Sequence, residues 1–244
     1  MLKRNSNHIE IYNDLFILYG ENLTIKSHAN HGIKIILCDG EITAVHDRKP
    51  YKAYGLILKS DLTHYIKAND HVGITIFLDP EKEVGHFLKL LFRKNKVIKL
   101  DNTLTTALFE FFTDVVENHT SESEVVDYLQ RALGKPITPH RKLDPRIEQI
   151  ISHINSGQSN SIQFSEILQL SSLSSSRLIH LFKKEVGIPI RRYILWYKTK
   201  KALAAIASGT TIKQAASIAG FTDAAHFNRS FRSMFGNSPS NVLK

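Results

Sequence analysis

The sequence predicts an α+β protein: a small antiparallel β-barrel with helices, followed by an all-α region in which a long helix joins two helix-turn-helix units. Three observations predict it. Residues 9–78 gather Ile, Leu, Val, Tyr and Thr into short segments separated by turn residues. From Pro80 the apolar spacing lengthens to that of helices. Near the C-terminus a helix–glycine–helix pattern repeats one found 49 residues upstream.

The strand candidates are HIEIY, LFILY, LTI, IKIIL, EITAV, YGLIL, THYI and VGITIFL. Turn chemistry at Tyr19-Gly20, Asn30-His31-Gly32, Cys38-Asp39-Gly40 and Asp47 to Pro50 separates them. About eight short strands with close turns favour a barrel or sandwich. PEKEVGHFLKLLFRK then reads as a helix from Pro80 or Glu81, acidic in its first turn and basic in its last. VIKL, residues 97–100, is a candidate last strand. Asp101 reads as the N-cap of a helix whose apolar face is Leu104, Leu108, Phe111, Phe112, Val115 and Val116. Ser121 or Ser123 caps another, which carries Val125, Val126, Leu129 and Leu133 and ends at Gly134. Two readings of these helices stand side by side: packing on the barrel, or forming a homodimer interface.

Residues 1–134 are therefore read as one domain, with the barrel at 9–78 and helices at 80–134. Residues 135–143 are rich in proline and basic side chains and read as a linker. Residues 144–244 form the second domain. There Asp144 caps a helix with Pro145 at its first position and Ile147, Ile150, Ile151 and Ile154 on its buried stripe. In the last unit Ile212, Ala215, Ala216 and Ala219 make a short helix, and Gly220 makes the turn. Thr222 or Asp223 caps the next helix, which buries Phe227 and Phe231. Gly236 stops that helix and Pro239 lies beyond. Leu178, Phe182, Lys183 and Gly187 occupy the matching places upstream. Arg191 to Ala207, free of Pro and Gly, joins the copies as one helix.

Charge separates the two halves. The net is −2 over residues 1–134, +3 over 135–143 and +8 over 144–244. The basic excess thus sits with the helix-turn-helix half, as a polyanionic partner requires. The longest apolar runs fall short of the roughly 20 residues of a membrane span. The N-terminus has no apolar signal core, so a cytoplasmic protein is expected. The single cysteine, Cys38, excludes an intrachain disulfide and reads as a small buried strand residue.

The last hundred residues resemble the DNA-binding domain of AraC/XylS-type transcriptional regulators. The resemblance rests on Phe182, Gly187, Tyr193, Lys198 and Ala202, then Ile212, Ala216, Gly220-Phe221-Thr222-Asp223, Phe227, Arg229, Phe231, Phe235, Gly236 and Pro239. There are three departures. Lys198 stands where the family usually has Arg, Leu168 at the usual small-residue position and Ser172 at the usual turn glycine. The resemblance implies duplex DNA and RNA polymerase as partners, a homodimer, and a cupin-like barrel that senses a small-molecule effector. It implies recognition helices at about Ser174–Glu185 and Asp223–Phe235. Their groove-facing residues are Ser176, Ile179 and His180 in the first, and Ala225, His226, Asn228 and Arg229 in the second. Arg229 has the geometry to pair with guanine and Asn228 with adenine. Arg177, Lys183, Arg192, Lys200 and Arg232 are assigned to phosphate.

A cupin-type metalloenzyme fused to a DNA-binding domain is the alternative. It would draw its ligands from His28, His31 and His64, with Glu41 as a carboxylate. The His-x-x-His spacing does not fit the usual cupin pattern, and no nucleophile–base pair stands out in residues 1–134. The reading adopted is polar or surface histidines, no metal and no cofactor, and no catalysis. The inward faces of Ile33–Leu37 and Tyr54–Leu58 are expected to line a pocket for a small amphipathic molecule.

Overall fold

The computed structural model describes residues 7–21, 24–68, 71–92, 95–134, 143–156, 162 and 164–242. Contacts gather the chain into two compact units: Met1–Pro139 together with Phe231–Lys244, and His140–Ser230. Most of the expected linker lies outside the described residues.

The first unit is built on strands β1 (His8–Ile11), β2 (Leu15–Glu21), β3 (Ile25–His28), β4 (Ile33–His46), β5 (Lys49–Leu58), β6 (His64–Lys67), β7 (Val72–Leu78) and β8 (Val97–Lys99). All pairings are antiparallel, in the order β1-β2-β7-β4-β5-β8, with β6 joining β3 to β4. The break expected at Cys38-Asp39-Gly40 is not a chain reversal. β4 runs through it as one 14-residue strand. Its register against β5 jumps from Leu37 opposite Gly55 to Ile42 opposite Ala53. The surplus residues form a bulge that bends the strand. Before the bulge β4 pairs with β7, and after it with β6. One bent hairpin therefore carries the sheet around on itself. Its turn is Asp47-Arg48, both at positive φ (49° and 63°), as a two-residue hairpin loop demands.

Side chains alternate across the sheet. On one face, Ile17, Ile33, Ile35, Leu37, Ile74 and Ile76 pack under the helices. On the other, Ile36, Cys38, Ile42, Leu56 and Leu58 point into the barrel interior with Ile66. This two-sided burial is why IKIIL and VGITIFL read as unbroken apolar runs.

Helix α1 (Glu83–Leu91) starts later than expected from Pro80 or Glu81. Lys82 N–H closes a turn onto the Asp79 carbonyl at 3.1 Å, and Glu81 turns its carboxylate inward instead of opening the helix. Asp101 caps α2 (Asn102–Asn118) through the Leu104 N–H at 2.8 Å. Ser121, not Ser123, caps α3 (Glu122–Leu133), in a reciprocal box with Glu124. Leu108, Phe112, Val115, Val116, Val125 and Leu129 are buried against the sheet, so the apolar faces of both helices pack on the barrel. Gly55 of β5 allows α2 to approach, because a Cβ there would collide with Thr105.

The second unit contains α4 (Pro145–Asn155), α5 (Phe164–Ser171), α6 (Ser175–Val186), α7 (Ile190–Ala207), α8 (Ile212–Ile218) and the first half of α9 (Ala224–Phe235). Asp144 caps α4 as expected. Ile147, Ile150, Ile154, Ile167, Leu178, Phe182 and Tyr193 close one core among α4, α5, α6 and α7. The rest of α9 and a short α10 (Pro239–Val242), which the sequence pattern did not reveal, make their contacts in the first unit.

Candidate nucleic-acid interface and ligand pocket

In the first helix-turn-helix unit Ser172 takes the left-handed conformation, φ 51°, in place of a glycine. Ser171 holds that turn: its hydroxyl donates to the Leu168 carbonyl at 2.9 Å and accepts from the Leu173 N–H at 3.3 Å. Ser174 then caps α6. With Leu178, Phe182 and Val186 buried, Ser176, Arg177, Ile179, His180 and Lys183 are left exposed.

The second unit turns at Gly220, φ 74°. Asp223, rather than Thr222, caps α9 by accepting the His226 N–H at 2.6 Å. Phe221 is buried edge-on to Phe227, with ring centres 5.2 Å apart. Ala225, Arg229 and Arg232 form an exposed stripe at i, i+4 and i+7. Asn228 and His226 are half-buried. His226 lies edge-on to Phe221, and its Nδ1 is 3.4 Å from the Thr222 hydroxyl.

Helix α7 carries one correction and one addition. Lys200, assigned to phosphate, is 9% exposed. It lies on the stripe of Tyr193, Trp196 and Leu203, the helix face that turns away from water. Arg192, on another face, is exposed. Lys198 has a structural part that sequence did not assign. Its Nζ donates to the Gly220 carbonyl at 2.7 Å, tying α7 to the second turn, and its burial lowers its pKa.

Within the first unit lies a cavity of about 60 Å³ that opens to solvent. Leu18, Ile25, Ile36, Ile66, Phe77, Phe235 and Val242 give it apolar walls. Its polar lining includes Lys34, His28, His64 and Thr75. Lys34 is 1% exposed, and its Nζ makes no hydrogen bond. Burial pushes it down to about 7, against a pull upward from Asp61. His64 Nε2 and Thr75 Oγ1 are likewise buried without a partner. Burial, then the Lys34 charge, lowers His28 to about 4 and His64 to about 2. Of the two strands expected to line a pocket, only β4 contributes, through Lys34 and Ile36. Tyr54 faces a separate hollow beside α2. The signal for Lys34 was present in the sequence: one lysine at an inward position of an otherwise apolar strand.

The three histidines weighed as metal ligands are buried polar groups, while others such as His119 are exposed. His28, His31 and His64 are all buried. The His28 and His64 rings lie 4.4 Å apart, each with Nδ1 on a nearby backbone carbonyl. His31 is held elsewhere, with Nε2 2.9 Å from Glu81 and Nδ1 3.6 Å from Asp61. Burial alone would lower its pKa. The Glu81 charge, the nearby Asp61 carboxylate and the hydrogen bond to Glu81 outweigh that and raise it to about 9. Among the described residues no three His, Cys, Asp or Glu side chains gather where they could hold a metal ion. No helix among them is long and apolar enough to cross a membrane. Cys38 is buried in β4, its Sγ 3.2 Å from the Val72 carbonyl.

Comparison with known proteins gives the helices their kind. Residues 168–244 match the family model described as "Helix-turn-helix domain". These residues are an AraC/XylS-type helix-turn-helix domain. The Msm operon regulatory protein of Streptococcus mutans is 28% identical over 99 residues, which are 40% of this chain and 36% of that protein. The match thus spans about a third of that relative's length. In fold, the chain is similar to ToxT from Vibrio cholerae. The apo form of a ToxT point variant superposes with a TM-score of 0.63 at 15% identity, over 96% of this chain and all of that one. Wild-type ToxT bound to an unsaturated fatty acid gives 0.56 at 15% identity, over 100% and 97%. As an AraC/XylS-type domain, this one accommodates its departures locally: Ser172 adopts the glycine conformation, and Lys198 supplies a donor with an amine where a guanidinium is usual.

Proposed function

We propose that the chain is a sequence-specific DNA-binding transcriptional regulator, a binding protein and not an enzyme, which works in the cytoplasm as a homodimer and engages RNA polymerase. One observation carries the DNA-binding reading. Two capped recognition helices, α6 and α9, lie on either side of α7 in the chain, with their apolar residues buried and polar or basic residues open. The spacer α7, 18 residues long, measures about 27 Å at 1.5 Å per residue. That suits entry into successive major grooves about 34 Å apart. Ser176, Ile179, His180, Ala225, His226, Asn228 and Arg229 would meet base edges. Arg177, Lys183, Arg192 and Arg232 would meet phosphate. Selecting bound fragments genome-wide and footprinting them tests this. Protection over a single short segment per protomer refutes the two-unit reading.

The effector is an amphipathic monocarboxylate seated in the first-unit cavity. Lys34, fully buried and without a partner, supports this: an anionic head beside it relieves the cost of a desolvated amine. Apolar walls suit a hydrocarbon body, and a fatty acid is what the ligand-bound ToxT structure carries. Calorimetry with decanoate tests it, with decanol as the uncharged control. Decanoate binding that Lys34→Met does not weaken, or equal binding of decanol, refutes the assignment.

A further inference from the structure

Helix α9 belongs to two places at once. Its first half carries the candidate base-reading residues Ala225 to Arg229. Its last turn and the residues that follow make their contacts with the strands of the first unit. Asn30, 1% exposed in the β3–β4 loop, donates from Nδ2 to the Met234 carbonyl at 3.0 Å, so it caps the C-terminal end of α9. Phe235 sets its ring edge-on to Phe16 and Phe77, with ring centres 6.0 and 5.4 Å apart. Asn237 donates from Nδ2 to the Thr24 carbonyl at 3.2 Å. Gly236, at φ 72°, meets the chain around Lys26 so closely that a Cβ would collide with the Lys26 carbonyl.

The same segment forms part of the ligand cavity. Phe235, Asn237, Asn241 and Val242 line it together with Ile25, His28 and Lys34. A molecule filling the cavity therefore touches the end of α9 directly. The complete cavity exists only while residues 234–242 are seated on the strands. A ligand shifts an equilibrium only by its differential affinity for the two states. Here that difference has a structural source, because an unseated segment leaves the cavity with one wall missing.

We propose that ligand and operator are coupled through the second recognition helix alone, with Asn30 and Asn237 as the coupling residues and the first helix-turn-helix motif, with its recognition helix α6, untouched. This rests on the cavity being the effector site. By reciprocity, operator binding changes ligand affinity by the same factor as ligand changes operator affinity. Asn30 does not line the cavity, so its side chain separates coupling from ligand binding.

The test uses the full chain, its selected operator and decanoate, with Asn30→Ala and, as a second variant near the surface, Asn237→Ala. In the wild type, decanoate is expected to change operator affinity about tenfold and to alter hydroxyl-radical protection only in the half of the operator read by α9. Asn30→Ala is expected to bind decanoate within about threefold of the wild type while the effect on operator affinity falls below about twofold. Without any ligand, both variants are expected to shift operator affinity in the same direction, since each loosens the end of α9. If decanoate binds and changes operator affinity equally in the wild type and Asn30→Ala, or changes protection in both half-sites alike, the coupling is refuted while the effector site stands. If decanoate does not bind the wild type, the effector assignment fails. The ligand-free comparison then decides whether α9 is held: unchanged operator affinity in both variants overturns that as well.

Discussion

Replacing Lys34 with Met is expected to stabilise the ligand-free protein, by an amount that depends on pH. The amine is fully buried and drops from 10.5 to about 7. At 1.36 kcal/mol per pH unit, keeping it charged in the fold costs up to about 5 kcal/mol below pH 7. The folded pKa lies below the unfolded one, so between about pH 7 and 10.5 the unfolded chain holds a proton that the folded chain has released. Stability then rises with pH across that window. Between pH 7 and pH 9 roughly 2 kcal/mol of the penalty goes, and about 2 kcal/mol remains. His31 works in the opposite direction. Its pKa is raised from 6.5 to about 9, so its contribution is complete below 6.5 and is lost as pH climbs through 9. The two trends oppose each other between pH 7 and 9, and the wild type should be nearly flat there with respect to this pair. Lys34→Met removes one of them. Met keeps the length and apolar stem of the side chain, so packing changes little. The assay is urea unfolding by circular dichroism for both proteins at pH 7 and 9 and one ionic strength. The variant's advantage should be largest at pH 7 and shrink by about 2 kcal/mol at pH 9, leaving a variant whose own stability falls with pH. A variant less stable than the wild type at pH 7, or an advantage equal at both pH values, would refute the reasoning.

Two further outcomes follow from the helical unit. Arg229→Ala should cost roughly 1–3 kcal/mol at particular base pairs and relax specificity there, whereas Lys183→Ala should weaken all sequences alike and reduce the salt slope by about one; equal losses on operator and random DNA for Arg229→Ala contradict its assignment. Lys198→Met should loosen the Gly220 turn and cost about 1–3 kcal/mol of stability, chiefly by leaving the carbonyl without its charged donor, with Lys198→Arg recovering most of it; hydrogen exchange at residues 219–223 that stays as slow in Lys198→Met as in the wild type counts against the tie.

The helical half was legible because its determinants are local. Caps such as Asp144 and Asp223, the turn at Gly220, and apolar stripes such as Ile147–Ile154 each act within a few residues. Leu168 and Ser172 broke the pattern by residue type, but the backbone took the same path because a serine tolerates φ 51° when its neighbour Ser171 bonds across the turn. Lys200 misled because charge suggested a surface, while its place on the Tyr193–Trp196–Leu203 stripe decided otherwise. A residue's register on a helix outranked its type.

The barrel half was legible in its strands and less so in what they enclose. Whether Cys38-Asp39-Gly40 reverses the chain or only bends it depends on which strands lie on either side, and that is set by residues such as Gly73 and Lys67, about 30 residues away. The pocket has the same origin. Its walls come from β2, β3, β4, β6 and β7 and from the segment after α9, so no window of sequence contains it. One residue nevertheless carried a readable trace. A lysine at an inward position of IKIIL cannot be reconciled with a dry apolar core, because an isolated buried amine is unstable there. Either the strand exposes that face or a partner comes to it. The structure excludes the first option by burying Lys34 completely, and it supplies no carboxylate hydrogen-bonded to the amine. The strain of that residue is therefore retained in the ligand-free fold, and a molecule bringing a negative charge would recover in binding what the empty fold gives up in stability. If so, stability and ligand affinity at this position should trade against each other, and variants that stabilise the ligand-free barrel by removing the Lys34 charge should be the ones that no longer respond to an anionic ligand.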